Sequence, residues 1–458
     1  FPSPPDTPPP PFALTGATLI DGTGAPPISD AAVVMRDGRI ACAGFGCPVP
    51  DDAEVVDASG KWIVPGIVDA HVHYSQTGWA DGRPDAYDAR DRFPYPETVR
   101  ELEARPERFF RSYLCSGVTA TFDVGGFPWT WDLRERSRDR TDAPHVAAAG
   151  PLLSTRDHWV ELPAEEQFLH LSDSAATEEA ARYLTAMGTD AVKVWYLVGR
   201  ESPDTAHYKA MLRIGARVAR DAGIPLIVHA TGLWQAKDAL RAGARLLVHS
   251  VRDRPVDAEF LRLAREAGTF YTPTLMVGDG YDQLRNRDFQ QHRQDLACVD
   301  PSTRRKAFLT DSLPGAPTAE ERARGARRLE AEYRLMLRNL ATIHDAGIPV
   351  AMGTDAGNPL TLHGPAIYRE MEAMEEAGLS PMEVLVASTR DGARAMGRGE
   401  ELGTVEEGRI ADLVVLDRNP LEAVQNFRSV ALVVRRGEIR TRHELAYPPA
   451  TGGTGGGR

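Results

Sequence analysis

The sequence predicts an α/β protein with a parallel β-sheet, and one repeated unit carries this prediction. In that unit a helical stretch ends in a small residue and a glycine, and an apolar strand follows, as in RDAGIPLIVHA, LRAGARLLVHS and HDAGIPVAMGTDAG. A glycine directly after a helix adopts the left-handed conformation that ends the helix, which fits Gly223, Gly243, Gly268 and Gly347. Helix and strand in regular alternation are typical of a parallel sheet.

Counting these units along the chain gives eight strands. They lie near residues 67–73, 117–123, 145–152, 190–196, 225–230, 245–250, 270–275 and 349–355. Two helix starts agree with this division, because Thr318 with Glu321 and Ser380 with Glu383 each fit a capping box. Polar residues recur at the far ends of these strands, which is typical of the active face of a (β/α)8 (TIM) barrel. The long connections 74–116 and 276–348 are expected to be lids or binding loops.

The two chain ends predict a second, smaller domain. Short alternating strands separated by Gly and Asp turns fill residues 13–65 and 400–445, which favours a small β-sandwich built from both ends. The barrel then covers residues 66–399. We assign residues 1–12 to a Pro-rich extension and residues 446–458 to a flexible Gly-rich tail.

Composition excludes several classes of protein. The chain has 458 residues and a net charge of −12, and this acidic balance argues against nucleic acid and anionic membranes as partners. There is no apolar run long enough to span a membrane. Its start at Phe1 leaves two locations open, the cytoplasm or export after removal of a signal.

The cysteines predict no disulfide framework. Cys42, Cys47, Cys115 and Cys298 are too few and too scattered for one. Cys42 and Cys47 lie five residues apart with no histidine nearby, so we interpret them as ordinary residues rather than as a zinc site.

The strongest local signal is the motif DAHVH at the end of an apolar strand. Side chains two apart on a strand point the same way, so His71 and His73 present two imidazoles together. This is the arrangement of two ligands to one metal. The alternative is a pair of surface histidines.

Four more polar side chains end other strands. Lys193 lies between valines, where a lone cation is costly, so it either extends its head to the surface or serves covalent chemistry, such as forming a carbamate with CO2 that could bridge two cations. His229 and His249 could be rim histidines, and Asp355 could be a turn former. Together these residues favour a metal site, since nitrogen and oxygen ligands suit Zn²⁺.

These segments resemble the amidohydrolase superfamily, and within it the imidazolonepropionase-like and Xaa-Pro-dipeptidase-like branch. The resemblance runs over roughly residues 13–445 through VPGIVDAHVH, GVTATFDVGG, DAVKVWY, FYTPTL, GTDAG and LGTVEEGRIADLVVLDRNPL. It implies a (β/α)8 barrel with a β-sandwich formed by both termini. It also implies the ligands: His71, His73 and Asp355 for a first metal, and a carbamylated Lys193 that bridges to a second metal held by His229 and His249.

Such ligands imply hydrolysis of an amide-type C–N bond. A water between two divalent ions, here expected to be Zn²⁺, becomes a hydroxide nucleophile, and Asp355 passes its proton to the leaving nitrogen. A dipeptide, an N-acyl amino acid, an aryl amide or urea and a cyclic amide all remain open as the small-molecule substrate. We also expect a homo-oligomer.

Three alternatives compete with a two-metal amidase. Some relatives lack the strand-four lysine and hold one metal, so a single-metal cyclic-amide hydrolase or ring deaminase stays open. Ala230, Thr231 and Gly232 follow His229 and provide no acid, which disfavours the deaminase. A catalytically inactive scaffold is disfavoured because all six ligands are present.

Candidate substrate contacts come from the long loop and from positions near the ligands. Loop 74–95 is rich in aromatic residues and arginine, which could line a pocket for an apolar or aromatic amide bearing a carboxylate. The alternative is that these aromatic residues pack the loop against the barrel. The candidates are Tyr74, Trp79, His158, Tyr196 and His363.

Overall fold

The computed structural model describes residues 11–156, 166–199, 202 and 204–448, and its elements mix helix and strand as predicted. The strands are β1 (Phe12–Leu19), β2 (Ile28–Arg36), β3 (Arg39–Phe45), β4 (Glu54–Asp57), β5 (Trp62–Pro65), β6 (Ile67–Val72), β7 (Val118–Asp123), β8 (His145–Ala148), β9 (Leu152–Ser154), β10 (Phe168–His170), β11 (Val192–Trp195), β12 (Leu226–His229), β13 (Leu246–Val248), β14 (Phe270–Thr272), β15 (Leu413–Leu416), β16 (Val430–Arg435) and β17 (Glu438–Thr441).

The helices fill the intervals between the central strands and follow the last of them. They are α1 (Tyr95–Ala104), α2 (Phe110–Cys115), α3 (Thr130–Ser137), α4 (Ser174–Ala186), α5 (Thr205–Asp221), α6 (Leu233–Arg241), α7 (Ala258–Ala267), α8 (Val277–Asn286), α9 (Arg293–Leu296), α10 (Pro301–Ala307), α11 (Ala319–Asp345), α12 (Ala366–Glu376), α13 (Pro381–Ala387), α14 (Arg390–Ala395) and α15 (Arg442–Leu445). No described helix is both long and apolar enough to cross a membrane.

Helix boundaries follow the local signals in the sequence. Both predicted capping boxes are confirmed: Thr318 caps α11 and Ser380 caps α13, each hydroxyl accepting a hydrogen bond from the backbone N–H three residues later. Gly268 ends α7 in the left-handed conformation with φ of 60°, as glycine permits. Local sequence therefore sets where these helices begin and end.

The central strands form two parallel sheets. One has the order β6-β7-β8 and the other β10-β9-β11-β12-β13-β14. Seven of the eight predicted strands correspond to named strands, and the third is divided between β8 and β9. The eighth, 349–355, forms isolated bridges and connects both sheets: Tyr271 N donates to Pro349 O at 2.9 Å, and Ala70 N donates to Met352 O at 3.0 Å.

Strands from both chain ends join in one mixed sheet. Its order is β17-β16-β15-β5-β1-β2-β3, and β4 also pairs with β1. The two ends meet where β15 runs antiparallel to β5, with Leu413 opposite Pro65. Leu14, Val33 and Ile63 belong to the apolar cluster buried on this sheet. The C-terminal strands thus complete a sheet that the N-terminal strands begin.

The four cysteines are paired, so the prediction of no disulfide framework, with Cys42 and Cys47 as ordinary residues, is wrong. Cys42 bonds to Cys47 across a Cα distance of 5.9 Å, and Cys115 bonds to Cys298 across 5.4 Å. The chain turns after β3 and returns Cys47 to Cys42. Cys115 and Cys298 are 183 residues apart, and only the packing of α2 beside the segment after α9 brings them together.

A buried ion pair joins the mixed sheet to the parallel sheets. Arg435 on β16 lies 3.2 Å from Asp412 and donates through Nε to the Ala143 carbonyl at 2.6 Å, just before β8. Asp412 also lies 2.9 Å from His145 of β8. The side chains of Arg435 and Asp412 are only 1% and 4% exposed. Water therefore cannot solvate either charge, and each depends on its partner for stabilisation.

Replacing Arg435 with Met should therefore destabilise the protein strongly. Removing Arg435 leaves the buried charge of Asp412 with His145 as its remaining side-chain partner, and breaking a buried pair costs up to about 3–5 kcal/mol. Urea unfolding followed by circular dichroism measures the loss. Arg138→Met is the matched control, because the exposed Arg138–Glu135 pair is expected to contribute less than about 1 kcal/mol. Equal losses in the two variants would contradict a special role for the buried pair.

Candidate metal centre

His71 and His73 converge on a single carboxylate oxygen. Both lie at the end of β6, and their Nε2 atoms are 3.3 Å apart. Asp355 Oδ1 is 3.2 Å from His71 Nε2 and 3.0 Å from His73 Nε2. Two imidazole nitrogens and one carboxylate oxygen thus lie within 3.3 Å of one another, and their role as ligands of a first metal stays a prediction.

Asp355 is held in place by the backbone around it. Its N–H donates to the His71 carbonyl at 2.8 Å, and its φ of 64° lies in the left-handed region that non-glycine residues rarely adopt. The preceding turn is fixed by Asp69, which accepts from Thr354 N at 3.0 Å and from Thr354 Oγ1 at 2.7 Å. A strained backbone retained in this way is common at functional sites.

His229 and His249 complete the imidazole cluster. His229 ends β12 and His249 follows β13, and their ring centroids are 4.3 Å apart. The His249 ring is 4.9 Å from that of His71, and His249 Nδ1 is 3.8 Å from Asp355 Oδ2. Ligand atoms of His71, His249 and Asp355 lie within 4.8 Å of one another and could hold one metal ion.

Lys193 lies in the middle of β11 and is almost fully buried, at 2% exposure. Val192 and Val194 flank it, and Ile227 of β12 lies opposite. Burial lowers the pKa of Lys193 to about 7, although Asp355 and Asp123 oppose this change. Among the described residues, none forms a hydrogen bond or an ion pair with its amine. With a pKa of about 7, a large fraction of the Lys193 amine is uncharged near neutral pH.

Burial also keeps three of the histidines, His71, His229 and His249, neutral. It lowers the pKa of His71 to about 4 and the pKa values of His229 and His249 well below their usual range. Burial alone would raise the pKa of Asp355, but the neighbouring His71, His73 and His249 lower it by more, so it lies well below the usual range. Neutral imidazoles and an ionised carboxylate are the protonation states that bind a cation.

A second set of residues orients the candidate ligands, and sequence reasoning did not assign it this role. His73 Nδ1 donates to the Gly125 carbonyl at 2.7 Å, which leaves Nε2 free to bind a cation. His249 Nδ1 lies 2.8 Å from Thr274 Oγ1. Gly125 follows the end of β7 and Thr274 follows the end of β14. The strand-end pattern that indicated the ligands could therefore have indicated these two residues as well.

Glu370 is a buried carboxylate that fixes the turn carrying Thr274. It accepts from Leu275 N at 2.7 Å and from Met276 N at 3.0 Å. Burial raises its pKa to about 8. The sequence offered no signal for Glu370, because α12 brings it back from 95 residues further along the chain.

Tyr74 and His363 lie in an aromatic layer behind His73. Tyr74 is fully buried, and its backbone N–H donates to Asp123 at 2.8 Å. His363 stacks on Phe109 at 3.7 Å and donates through Nε2 to the His73 carbonyl at 3.1 Å. Burial lowers the pKa of His363 to about 3. These contacts are packing and orienting contacts, and direct contact with substrate stays a prediction.

The other candidate substrate contacts are dispersed. Trp79 is fully buried in the packed loop and donates through Nε1 to Thr310 Oγ1 at 3.0 Å. Tyr196 is buried, and its ring lies 6.0 Å from that of Trp234 on α6. His158 lies outside the described residues. The structure thus does not gather the side chains of Trp79 and Tyr196 at the histidine cluster.

The two long connections pack against each other. Lys306 of α10 donates to Asp81 at 2.5 Å, and Thr303 donates to the Thr77 carbonyl at 3.0 Å. Trp79 shares an apolar cluster with Leu284 and other residues of the second connection. These segments therefore form one packed layer rather than two separate loops.

Comparisons with known proteins place this chain in a family. A profile of the amidohydrolase family matches residues 62–440. The imidazolonepropionase of Stenotrophomonas maltophilia (strain R551-3) is 26% identical over 416 residues, which cover 87% of this chain and 88% of that protein.

Solved structures share the fold over nearly the whole chain. A Xaa-Pro dipeptidase solved with methionine in its active site has a TM-score of 0.71 at 21% identity and covers 94% of this chain and 100% of its own. Molinate hydrolase has a TM-score of 0.72 at 22% identity, with coverage of 97% and 99%. At these identities the structural likeness concerns the fold, and the family is established by the profile. The chain belongs to the amidohydrolase family and is a hydrolase that acts on carbon–nitrogen bonds.

Proposed function

We propose that this protein hydrolyses an amide-type C–N bond of a small molecule at a metal centre. The six proposed ligands are His71, His73, Lys193, His229, His249 and Asp355. The observation that carries the proposal is the convergence of His71 Nε2, His73 Nε2 and Asp355 Oδ1, all within 3.3 Å of one another. Burying several imidazole nitrogens without a bound ion would cost free energy, because few of them would have a polar partner.

The residues present fit a divalent cation. Asp355 Oδ1 is buried and accepts no hydrogen bond from the described residues, although two imidazole nitrogens lie beside it. Burying a carboxylate oxygen without a hydrogen-bond donor costs free energy unless a cation compensates its charge. Nitrogen and carboxylate oxygen ligands suit Zn²⁺. A bound ion would lower the pKa of water and polarise the substrate carbonyl.

The scaffold of this centre is proposed to be a closed (β/α)8 barrel over residues 66–399. The hydrogen bonds from segment 349–356 to β14 and to β6 support closure. Residues 13–65 and 400–445 would form the composite domain as a β-sandwich.

Lys193 is proposed to bind as its carbamate. Its lowered pKa leaves an uncharged amine near neutral pH, and that form reacts with CO2 to give a carbamate and release one proton. The carbamate adds a negative charge near the neutral imidazoles of His71, His229 and His249. This charge could bridge two cations, which an amine cannot do.

Asp355 is proposed to move the proton. Its pKa lies well below the usual range, so it is ionised when substrate arrives and can accept a proton from water. It then delivers that proton to the leaving nitrogen. The histidines hold their positions through Gly125 and Thr274 while this transfer occurs.

A cyclic amide is the second candidate substrate. The curated relative from Stenotrophomonas maltophilia is named an imidazolonepropionase, and an imidazolone ring contains a cyclic amide. The first candidate is a linear amide. A panel of cyclic and linear amides assayed with metal-replete protein distinguishes the linear from the cyclic candidate. Absence of turnover on every C–N substrate would contradict the proposal.

Changing His71 to Ala should remove bound metal and lower turnover. Loss of a direct ligand should exceed the roughly 10–100-fold cost of losing an orienting partner. Elemental analysis gives the metal content, and circular dichroism checks that the fold persists. His344→Ala is the matched control, because His344 lies on α11 and contacts Glu383 at 3.6 Å. Full metal content and turnover in the His71 variant would show that His71 is not a ligand.

Changing Lys193 to Ala should empty one of two metal positions and lower turnover strongly. A short carboxylic acid added to this variant should restore part of the activity by replacing the carbamate. Lys193→Arg keeps the charge but does not form a carbamate readily, so it should lose metal as well.

The variant Lys237→Arg provides the control for the chemistry of the substitution, because Lys237 lies on α6 and is paired with Asp257 and Glu259. It should retain metal and turnover. If Lys193→Arg instead retains both metals and substantial turnover, Lys193 acts as a cation and the carbamate is refuted.

A further inference from the structure

Trp195 faces the same side of β11 as Lys193. Side chains two apart on a strand point to one face, and the residue between or after them points to the other. Trp195 is therefore on the ligand side, whereas Tyr196 turns away and meets Trp234. Of these two aromatic residues, Trp195 is the one at the candidate metal centre.

The indole ring of Trp195 borders the imidazole cluster directly. Trp195 lies opposite His229 in the register of β11 and β12. The ring centroids of Trp195 and His229 are 6.3 Å apart at an interplanar angle of 83°. The indole thus presents a large apolar surface beside a group of buried polar ligands.

Phe168 holds this indole in a fixed plane. The rings of Phe168 and Trp195 are stacked at 5.2 Å with an interplanar angle of 16°. Phe168 is buried at 7% exposure with Tyr95 and Leu152, and Trp195 packs against that cluster while remaining only partly buried. A ring that is stacked on a neighbouring ring and remains partly exposed is preorganised to stack on a ligand.

From these contacts we infer that Trp195 and Phe168 form an aromatic platform that binds a planar aromatic group attached to the scissile amide. This inference deepens the proposed function and rests on it. Stacking on the indole places the aromatic group beside His229, so the adjoining carbonyl can reach the ligand cluster. The platform selects aryl or aromatic acyl substrates over short alkyl ones.

Hydroxamate binding to the zinc-loaded full-length protein tests the platform without relying on turnover. Benzohydroxamate and acetohydroxamate share one zinc-binding group and differ in the aromatic ring. Isothermal titration calorimetry gives a Kd for each. The wild type should bind benzohydroxamate more tightly. Trp195→Leu should weaken benzohydroxamate about tenfold, as expected for loss of a stacked ring and its buried area, and should leave acetohydroxamate within about twofold.

Two further variants sharpen the comparison. Phe168→Leu removes the ring that stacks on Trp195. Like Trp195→Leu, it should weaken benzohydroxamate more than acetohydroxamate. Trp62→Leu, in β5 of the mixed sheet, is the matched control and should leave the ratio unchanged. Zinc content is measured for every variant.

Each other outcome decides against the platform, in a different way. Equal weakening of both hydroxamates, or loss of zinc, in Trp195→Leu would show that the indole only supports His229. An unchanged ratio would show that the ring does not contact the aromatic group. If the wild type binds zinc but prefers neither hydroxamate, the platform is refuted and the metal centre stands. If the wild type binds no zinc, the proposed function falls, and the platform with it.

Discussion

The register of the parallel strands is the constraint on which the candidate centre depends. In β11 and β12, Trp195 lies opposite His229, and in the next pair His229 lies opposite Val248, directly before His249. A slip of one residue would turn every side chain of a strand to its other face. Apolar side chains buried on both faces of these strands hold the register, so the core of the protein also positions its polar ligands.

Burial then sets the chemistry of the side chains that the register brings together. It favours neutral His71, His229 and His249 and an uncharged Lys193 amine, while the histidines keep Asp355 ionised. An isolated buried carboxylate would be costly, but one surrounded by lone-pair donors attracts a cation. The same low polarity that stabilises the parallel sheets therefore favours a site for a divalent ion.

The elements around the centre restrict its movement. Asp69 fixes the turn before Asp355, Glu370 fixes the turn carrying Thr274, and the two long connections pack against each other. The Cys115–Cys298 disulfide joins α2 to the second long connection. Within these packed surroundings Trp195 remains partly buried and borders the ligand cluster at His229.

The sequence alone determined the α/β class and nearly all the strand positions, because the helix–glycine–strand units are local. It also indicated the six candidate ligands. The DAHVH motif marks His71 and His73, and polar side chains near the ends of predicted strands mark Lys193, His229, His249 and Asp355. Capping boxes were likewise local, since Thr318 and Ser380 bond within their own first helical turn.

Only the tertiary structure decided the contacts between distant segments. It paired Cys115 with Cys298, brought Glu370 to the turn after β14, and directed Tyr74 and Trp79 into packing layers. It also gave Trp195, rather than Tyr196, the side of β11 that faces His229. The physical reason is that a strand's period of two shows which residues share a face, but which face meets the ligands depends on the strands and helices packed on either side.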